Sequence, residues 1–265
     1  MNEVNTFIER MQADQAAGLR RLFPSSRRRF LTLVSNPYAR TAGVAVERLT
    51  AALSLLGLRT LLVDGGEHSP PPPEASALEL APCIETLTPR VSYLAARGLA
   101  RRYVDTYGSA ARLLDELVRA APLTDVVLVH APAVELARLF TRRAARPMVI
   151  AADHPESVKH AYAALKLLSR RTGWMSFDLL LLAASGSTRA PRIADSLSGC
   201  ADRFIGAVLH DWTTIDPQSL ATDPPHAELL RLVVSQLEVD DAAPPAAWSR
   251  SGGASHAAAP VTQHM

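Results

Sequence analysis

Lysine is almost absent from this sequence of 265 residues, which contains only Lys159 and Lys166. Neither lysine precedes a serine or threonine, and Gly-Lys-Ser/Thr occurs nowhere in the chain. A nucleotide-binding loop places a lysine on the β- and γ-phosphates and the next hydroxyl group on the metal ion. The sequence therefore lacks the side chains of an ordinary phosphate-binding loop.

Cysteine is equally scarce, since only Cys83 and Cys200 are present. Two cysteines this far apart predict neither a disulfide framework nor a metal site. The sequence has no apolar run long enough to span a bilayer, and its N-terminal residues lack a secretory apolar core. The formal net charge of +2 gives no electrostatic case for nucleic acid as a partner. We therefore expect a cytoplasmic protein that does not bind nucleic acid.

The sequence does contain a clear strand-helix-strand unit. The unit comprises a strand at 30–34, a loop at 35–43, a helix at 44–56 and a second strand at 59–64. The first strand is apolar and β-branched, which is typical of a strand buried on both faces of a parallel sheet. The helix has apolar residues at helical spacing, and Gly57 follows it as a stop signal.

Strands and helices continue to alternate after this unit. Further strands are predicted at 125–133, 147–152, 177–183 and 205–209, a loop and helix start at 153–162 whose helix continues to 173, and helices at 193–204 and 226–237. Residues 89–120 are expected to be helical, with Tyr93 and Leu94 among the core positions. Six strands alternating with helices predict the α/β class, with a doubly wound, mostly parallel sheet.

The first unit resembles the opening of the MinD/ParA family of P-loop ATPases, whose loop reads S-G-K-G-G-V-G-K-T and whose second strand ends in L-L-V-D. Ser35 keeps the first position of the loop, and Asp64 keeps the last position of the strand. Pro37 stands at the signature lysine, Ala42 at the phosphate lysine and Gly43 at the magnesium-binding threonine. The resemblance implies the family fold without the residues that hold ATP and magnesium in relatives.

A second motif of the same family is altered in the same way. Residues 125–133 resemble the Walker B strand, and His130 replaces the aspartate that holds magnesium through water. Imidazole is a poor substitute for a hard oxygen ligand. We therefore expect a pseudo-ATPase without a cofactor. The alternative is a working ATPase that uses Arg40 and Asp64 in an unusual phosphate loop.

The N-terminal residues carry a motif of their own. Residues 5–23 have the apolar spacing of an amphipathic helix. Within them, D-Q-A-x-x-L-R is formed by Asp14, Gln15, Ala16, Leu19 and Arg20. This motif resembles the activator motif of the FlhG (FleN) family, MinD-like regulators of flagellar number and placement. In that family the motif docks on the SRP-type GTPase FlhF and stimulates GTP hydrolysis, so the resemblance implies that these residues bind that partner. The alternative is that the helix packs on its own domain.

We divide the chain into an activator helix (1–24), a basic linker (25–29), a MinD-like α/β domain (30–238) and a disordered tail (239–265). The resemblance also implies flagellar basal-body or C-ring components as partners, and recruitment to the cell pole or the inner membrane face. The tail lacks the basic amphipathic helix with which MinD-type proteins bind membranes, so it gives no support to a membrane contact. Another polar assembly, or cellulose export, is a further alternative.

Overall fold

The computed structural model describes residues 28–74 and 79–238. Its strands are β1 (Arg29–Val34), β2 (Thr60–Asp64), β3 (Glu85–Thr88), β4 (Val91–Ala95), β5 (Val126–Ala131), β6 (Met148–Ala152), β7 (Ser176–Leu182) and β8 (Val208–Ile215). They form one sheet in the order β3-β4-β2-β5-β1-β6-β7-β8. Every neighbouring pair is parallel except β3 and β4. The predicted α/β class with a mostly parallel sheet is confirmed.

Helices cover both faces of this sheet. They are α1 (Ala42–Leu55), α2 (Arg112–Ala120), α3 (Ala133–Leu139), α4 (Pro155–Thr172), α5 (Arg189–Ile205) and α6 (Ala227–Leu237), with 3-10 helices at Ala81–Cys83 and Leu99–Tyr103. The buried residues of α1 and α6 belong to one apolar cluster, and those of α2, α3, α4 and α5 belong to the other. The described residues therefore form three layers, with the sheet in the middle.

The central strands are apolar because water reaches neither of their faces. All six residues of β5 are buried. Leu128 points into the cluster below α1, and Val127 and Val129 point into the cluster on the other face. A strand with helices on both sides reads as a continuous apolar run rather than an alternating one, which is why the sequence identified these strands.

Two predictions about individual elements were wrong. Residues 91–95, expected to be helical, form β4, because parallel pairing with β2 outweighs local propensity. The last strand was expected at 205–209, but Ile205 still belongs to α5. Gly206, with a φ of 70°, ends that helix in the left-handed conformation, and β8 begins at Val208. With β4 and the unpredicted β3, the sheet has eight described strands rather than six.

The topology creates a crevice at the carboxyl edge of the sheet. The chain leaves β1 toward α1 on one face, whereas it leaves the neighbouring strands β5 and β6 toward α3 and α4 on the other face. In open α/β sheets, ligands bind where adjacent connections diverge in this way. The loop after β1 and the ends of β2 and β5 therefore define the candidate site.

The activator motif at residues 14–20, linker residues 25–27 and the tail at 239–265 lie outside the described residues. Among the described residues, none of the helices combines the length and the apolar character needed to cross a membrane.

Candidate functional site at the carboxyl edge of the sheet

The loop between β1 and α1 is fastened to both neighbouring strands. The backbone N–H of Ser35 donates to the carbonyl oxygen of Ala131 at 3.0 Å. The side-chain amide of Asn36 donates to the carbonyl oxygens of Ile150 and Ser157, both at 2.9 Å. Asn36 and Ser157 are buried, so these bonds form away from water and hold the loop firmly against the start of α4.

Several N–H groups at this loop and the start of α1 donate to oxygen atoms of the loop itself. The backbone N–H groups of Tyr38 and Ala39 both donate to Asn36, to its side-chain and its carbonyl oxygen respectively. The N–H of Ala42 donates to the carbonyl oxygen of Ala39, and that of Val44 donates to the carbonyl oxygen of Thr41. Pro37 has no N–H to offer. A phosphate-binding loop directs such groups toward the ligand instead. The N–H groups of Tyr38, Ala39, Ala42 and Val44 are therefore turned to the loop itself and not to a phosphate.

Arg40 and Gly43 complete the loop and the first turn of α1. Arg40 is exposed at the surface. A Cβ atom added to Gly43 would meet nothing within 4 Å. Glycine at this position is therefore not required by close packing, unlike the glycines of a loop that wraps a phosphate.

Near the carboxyl ends of β2 and β5, a half-buried aspartate is paired with a buried histidine. Asp64 and His130 are register partners on these adjacent strands. The Nδ1 atom of His130 lies 2.7 Å from the Oδ1 atom of Asp64. The backbone N–H of Gly66 also donates to that carboxyl oxygen, at 3.3 Å. The two residues that correspond to acidic positions of the resembled family thus contact each other directly.

The surroundings of Asp64 favour its charged form. Burial by itself would raise the pKa of the carboxyl group. The hydrogen bond and the charge of His130, together with hydrogen bonds from Ser69 and Gly66, outweigh burial and lower the pKa below its ordinary value. The Asp64 carboxylate is therefore held by its contact with His130 and by the hydrogen bonds from Ser69 and Gly66.

Gly66 permits the imidazole to lie against the backbone. A Cβ atom at Gly66 would lie 2.6 Å from Cε1 of His130, well inside van der Waals contact. The Nε2 atom of His130 and the Oγ atom of Ser35 are buried and have no hydrogen-bond partner among the described residues. The ring of His130 therefore fills the space between the β2–β3 connection and the end of β5.

The structure brings the predicted residues of this site together. Ser35, Pro37, Arg40, Ala42 and Gly43 lie on the loop or first turn after β1. The Nε2 atom of His68, in the segment after Asp64, lies 3.5 Å from the carbonyl oxygen of Pro37 and connects the two parts of the site.

Sequence reasoning missed the residues that hold the loop in place. Asn36 occupies a glycine position of the resembled motif, and a buried polar side chain directly after a strand was the available signal for its anchoring role. Ser157 and Ser69 are also buried, but only the fold brings them beside Asn36 and Asp64. A group of three or more histidine, cysteine or acidic side chains suited to a metal ion does not occur among the described residues.

Comparisons with known proteins bear on the fold. The sequence matches no protein-family model and no curated protein sequence. The structure is similar to MinD from Aquifex aeolicus, with a TM-score of 0.52 and 9% identity over 79% of this chain and 96% of that one. It is also similar to apo McdA from Cyanthece, with a TM-score of 0.53 and 13% identity over 80% of this chain and 100% of that one.

A third similar structure is a plasmid partition protein from Borrelia burgdorferi bound to AMPPNP, with a TM-score of 0.54 and 8% identity over 80% of this chain and 98% of that one. These identities are too low to transfer an activity, but the similarity extends over nearly the whole of each relative. The described domain therefore has the fold of the MinD/ParA-type ATPases.

Proposed function

We propose that this protein is an FlhG-like regulator of flagellar number or placement, which binds and stimulates the SRP-type GTPase FlhF through its N-terminal motif. The observation that carries the proposal is the occurrence of D-Q-A-x-x-L-R at residues 14–20 ahead of a MinD/ParA-like fold. The helix predicted at 5–23 would present its apolar stripe to a groove of the partner. Its action would be to help order the catalytic site of that GTPase.

We further propose that the fold does not use ATP. A magnesium-nucleotide needs N–H donors, a cation on the terminal phosphates and a hard oxygen ligand for the metal ion. Here several loop donors are bonded internally, lysine is missing from the loop, and His130 is bonded to Asp64. The residues present do not fit that ligand, which supports a pseudo-ATPase whose activity lies in its N-terminal segment.

The alternative is an ATP-dependent switch with an unusual phosphate loop. Its support is the AMPPNP bound to the Borrelia burgdorferi partition protein, which shares this fold. In this chain Arg40 is the exposed cation of the loop, and it would have to supply the charge that lysine supplies in the resembled family.

A GTPase assay with the full chain and an FlhF-type GTPase tests the proposal. Gln15→Ala and Leu19→Ala are expected to reduce the stimulation of GTP hydrolysis by about tenfold or more, since a buried contact is lost from a small interface. Gln12→Ala is the matched control, because it removes the same amide outside the fixed positions of the motif, and it should leave stimulation unchanged. Equal stimulation by all three variants would refute the role of the motif.

Calorimetric titration with ATP and magnesium separates the two candidates. The pseudo-ATPase should give no binding heat, and Arg40→Ala should change nothing. Micromolar binding that Arg40→Ala abolishes would instead establish the ATP-dependent switch. The two assays are independent, since stimulation of the GTPase can be measured with ATP omitted.

A further inference from the structure

Three exposed apolar side chains lie at the amino edge of the sheet, where the parallel strands begin. Phe204 is in the last turn of α5, Val208 is the first residue of β8, and Met175 directly precedes β7. The exposed fractions of Phe204, Val208 and Met175 are 69%, 57% and 45%. We call these three residues the apolar patch.

The members of the apolar patch surround the turn at Gly206. Phe204 and Val208 each lie two residues from Gly206 in the chain. The backbone N–H of Val208 donates to the carbonyl oxygen of Met175 at 2.8 Å. A Cβ atom added to Gly206 would lie 3.5 Å from the Cε atom of Met175, so the end of the Met175 side chain packs against this turn. The patch is therefore one surface, and an exposed apolar surface of this kind is typical of an interaction site.

The N-terminal segment joins the described domain at the same edge. β1 begins at Arg29, and the guanidinium group of Arg28 donates to the carbonyl oxygen of Pro122 in the connection before β5. In the sheet, β6, β7 and β8 follow β1 in that order. The start of β7 therefore lies about 10 Å from that of β1, and the start of β8 lies about 14 Å away.

A short connection is long enough to bring the predicted N-terminal helix to the apolar patch. Residues 24–28 separate the helix predicted at 5–23 from β1. Five extended residues span about 16 Å, which exceeds the distance from β1 to either β7 or β8. The helix itself would be about 28 Å long, so it can cross the whole patch.

The predicted helix needs an apolar surface in order to form. Its stripe is made of Phe7, Ile8, Met11, Gln15, Leu19 and Leu22. A single helix of this length is marginally stable in water, and most helical stability in proteins comes from packing of the apolar face. A short tether holds the helix near the patch at an effective concentration on the order of millimolar. A weak contact therefore suffices for docking within one chain, whereas a second copy of the chain has no such advantage.

We propose that the apolar patch is the docking site of the helix predicted at 5–23 of the same chain. The apolar stripe packs on Met175, Phe204 and Val208 in the absence of a partner. Gln15 and Leu19 belong to that stripe, so docking withholds two residues of the D-Q-A-x-x-L-R motif from a GTPase. This regulatory consequence rests on the proposed function, whereas the docking itself does not.

Paramagnetic broadening of NMR signals in the full chain tests the docking. Cys200 is exposed on α5, four residues before Phe204, whereas Cys83 is buried, so a nitroxide can be attached to Cys200 alone. The nitroxide should broaden the amide signals of residues 5–23, and Phe204→Ser should restore them. Leu123→Ser is the matched control, because Leu123 is 70% exposed at the same edge but precedes β5, on the other side of β1. It should leave the broadening unchanged.

Three results would overturn the docking. The first is that the amide signals of residues 5–23 stay sharp in the nitroxide-labelled chain. The second is equal broadening in Phe204→Ser and Leu123→Ser. The third is broadening in an isotope-labelled chain without nitroxide when it is mixed with nitroxide-labelled chain, which would identify a second copy as the occupant of the patch.

A GTPase assay tests the regulatory consequence separately. Phe204→Ser should lower the concentration of full chain that gives half-maximal stimulation of an FlhF-type GTPase by about tenfold, because the helix no longer has to leave the patch. Leu123→Ser should leave this concentration unchanged. Equal concentrations for both variants would overturn the regulation. If no form of the chain stimulates the GTPase while the broadening persists, the docking is supported and the proposed function is refuted.

Discussion

A half-buried aspartate and a fully buried one lie at opposite edges of the same sheet, and their surroundings shift their pKa values in opposite directions. At the carboxyl edge, the contact with His130 and nearby hydrogen bonds lower the pKa of Asp64 despite its burial. At the amino edge, Asp178 in β7 is completely buried, and burial raises its pKa although Arg146, Gln236 and His210 oppose the shift. Burial alone therefore does not determine the charge preference of an aspartate.

The difference reflects what each aspartate connects. The Oδ2 atom of Asp178 accepts hydrogen bonds from Arg146 at 3.0 Å and from Gln236 at 2.6 Å, and Arg146 also donates to Ser235 at 2.8 Å. These bonds join β7, α6 and the segment before β6. Asp64 instead contacts the adjacent strand and the loop that follows its own strand. The amino-edge network is a structural clamp, whereas the carboxyl-edge pair closes a local site.

The largest expected effect is at the amino edge. Arg146→Met removes the principal partner of a buried carboxylate and should destabilise the protein by about 3 to 5 kcal/mol, because the charge of Asp178 is left uncompensated. Urea unfolding measures the loss. Arg59→Met is the control, since it breaks the exposed ion pair with Asp125 and should cost less than about 1 kcal/mol. Similar losses from both variants would contradict the assignment of a clamp.

A smaller effect is expected where Gly66 meets the imidazole at the carboxyl edge. Gly66→Ala would place a methyl group 2.6 Å from Cε1 of His130, so the ring must shift, at a cost of about 1 to 3 kcal/mol. Gly43→Ala is the matched control, because its added methyl group meets nothing within 4 Å and replaces a helical glycine. That control should gain up to about 1 kcal/mol.

Thermal unfolding of the two glycine variants, followed by circular dichroism, distinguishes these expectations. A neutral Gly66→Ala would mean that His130 is not packed against the backbone, and the pair would then be looser than the buried network around Asp178.

The smallest expected effect is a difference between Asp64 and Asp178 in how their contributions to the free energy of unfolding depend on pH. The lowered pKa of Asp64 means that its ionised form stabilises the folded protein above the unfolded-state pKa, and this contribution disappears as the pH falls through the folded-state pKa. The raised pKa of Asp178 has the opposite sign, because the folded state holds the proton more tightly than the unfolded state does. Its contribution to stability therefore increases as the pH falls through that raised pKa.

This contrast is tested by measuring the free energy of unfolding from neutral pH down to about pH 3. The measurement is made on the unmodified protein and on the variants Asp64→Asn and Asp178→Asn. The free energy of unfolding of the unmodified protein relative to that of Asp64→Asn should decrease on acidification. Relative to that of Asp178→Asn, it should increase. Parallel pH profiles for the two variants would show that the aspartates do not differ in the way described.

The strands buried on both faces were predicted from the sequence, whereas less buried elements were predicted poorly. Strands β1, β5 and β6 were identified because apolar runs in this chain lie on both faces of a parallel sheet. Residues 91–95 were mistaken for helix because pairing with β2, a contact between segments distant in sequence, determines their conformation. The prediction of 205–209 included only the apolar start of β8 and missed its more polar continuation to Ile215, since an edge strand with one paired side does not need a continuous apolar pattern.

The contacts within the site could not be predicted either, because they too join segments that are distant in sequence. The sequence placed Asp64 and His130 in one region through the family resemblance, but not in contact with each other. Register between β2 and β5 creates that contact. Asn36 and Asp178 each bond to groups more than fifty residues away along the chain, so no local pattern could have indicated their roles.

The positions where the described domain begins and ends have a practical consequence for handling the protein. β1 starts at Arg29, and Gln236 near the end of α6 contacts Asp178 at the beginning of β7, so both ends lie at the amino edge of the sheet. A tag, fluorophore or surface tether that joins the described domain at either of these ends therefore meets it on the side away from the loop after β1. Immobilised protein should keep its carboxyl edge open to solution, which suits binding measurements that use ATP as the soluble ligand.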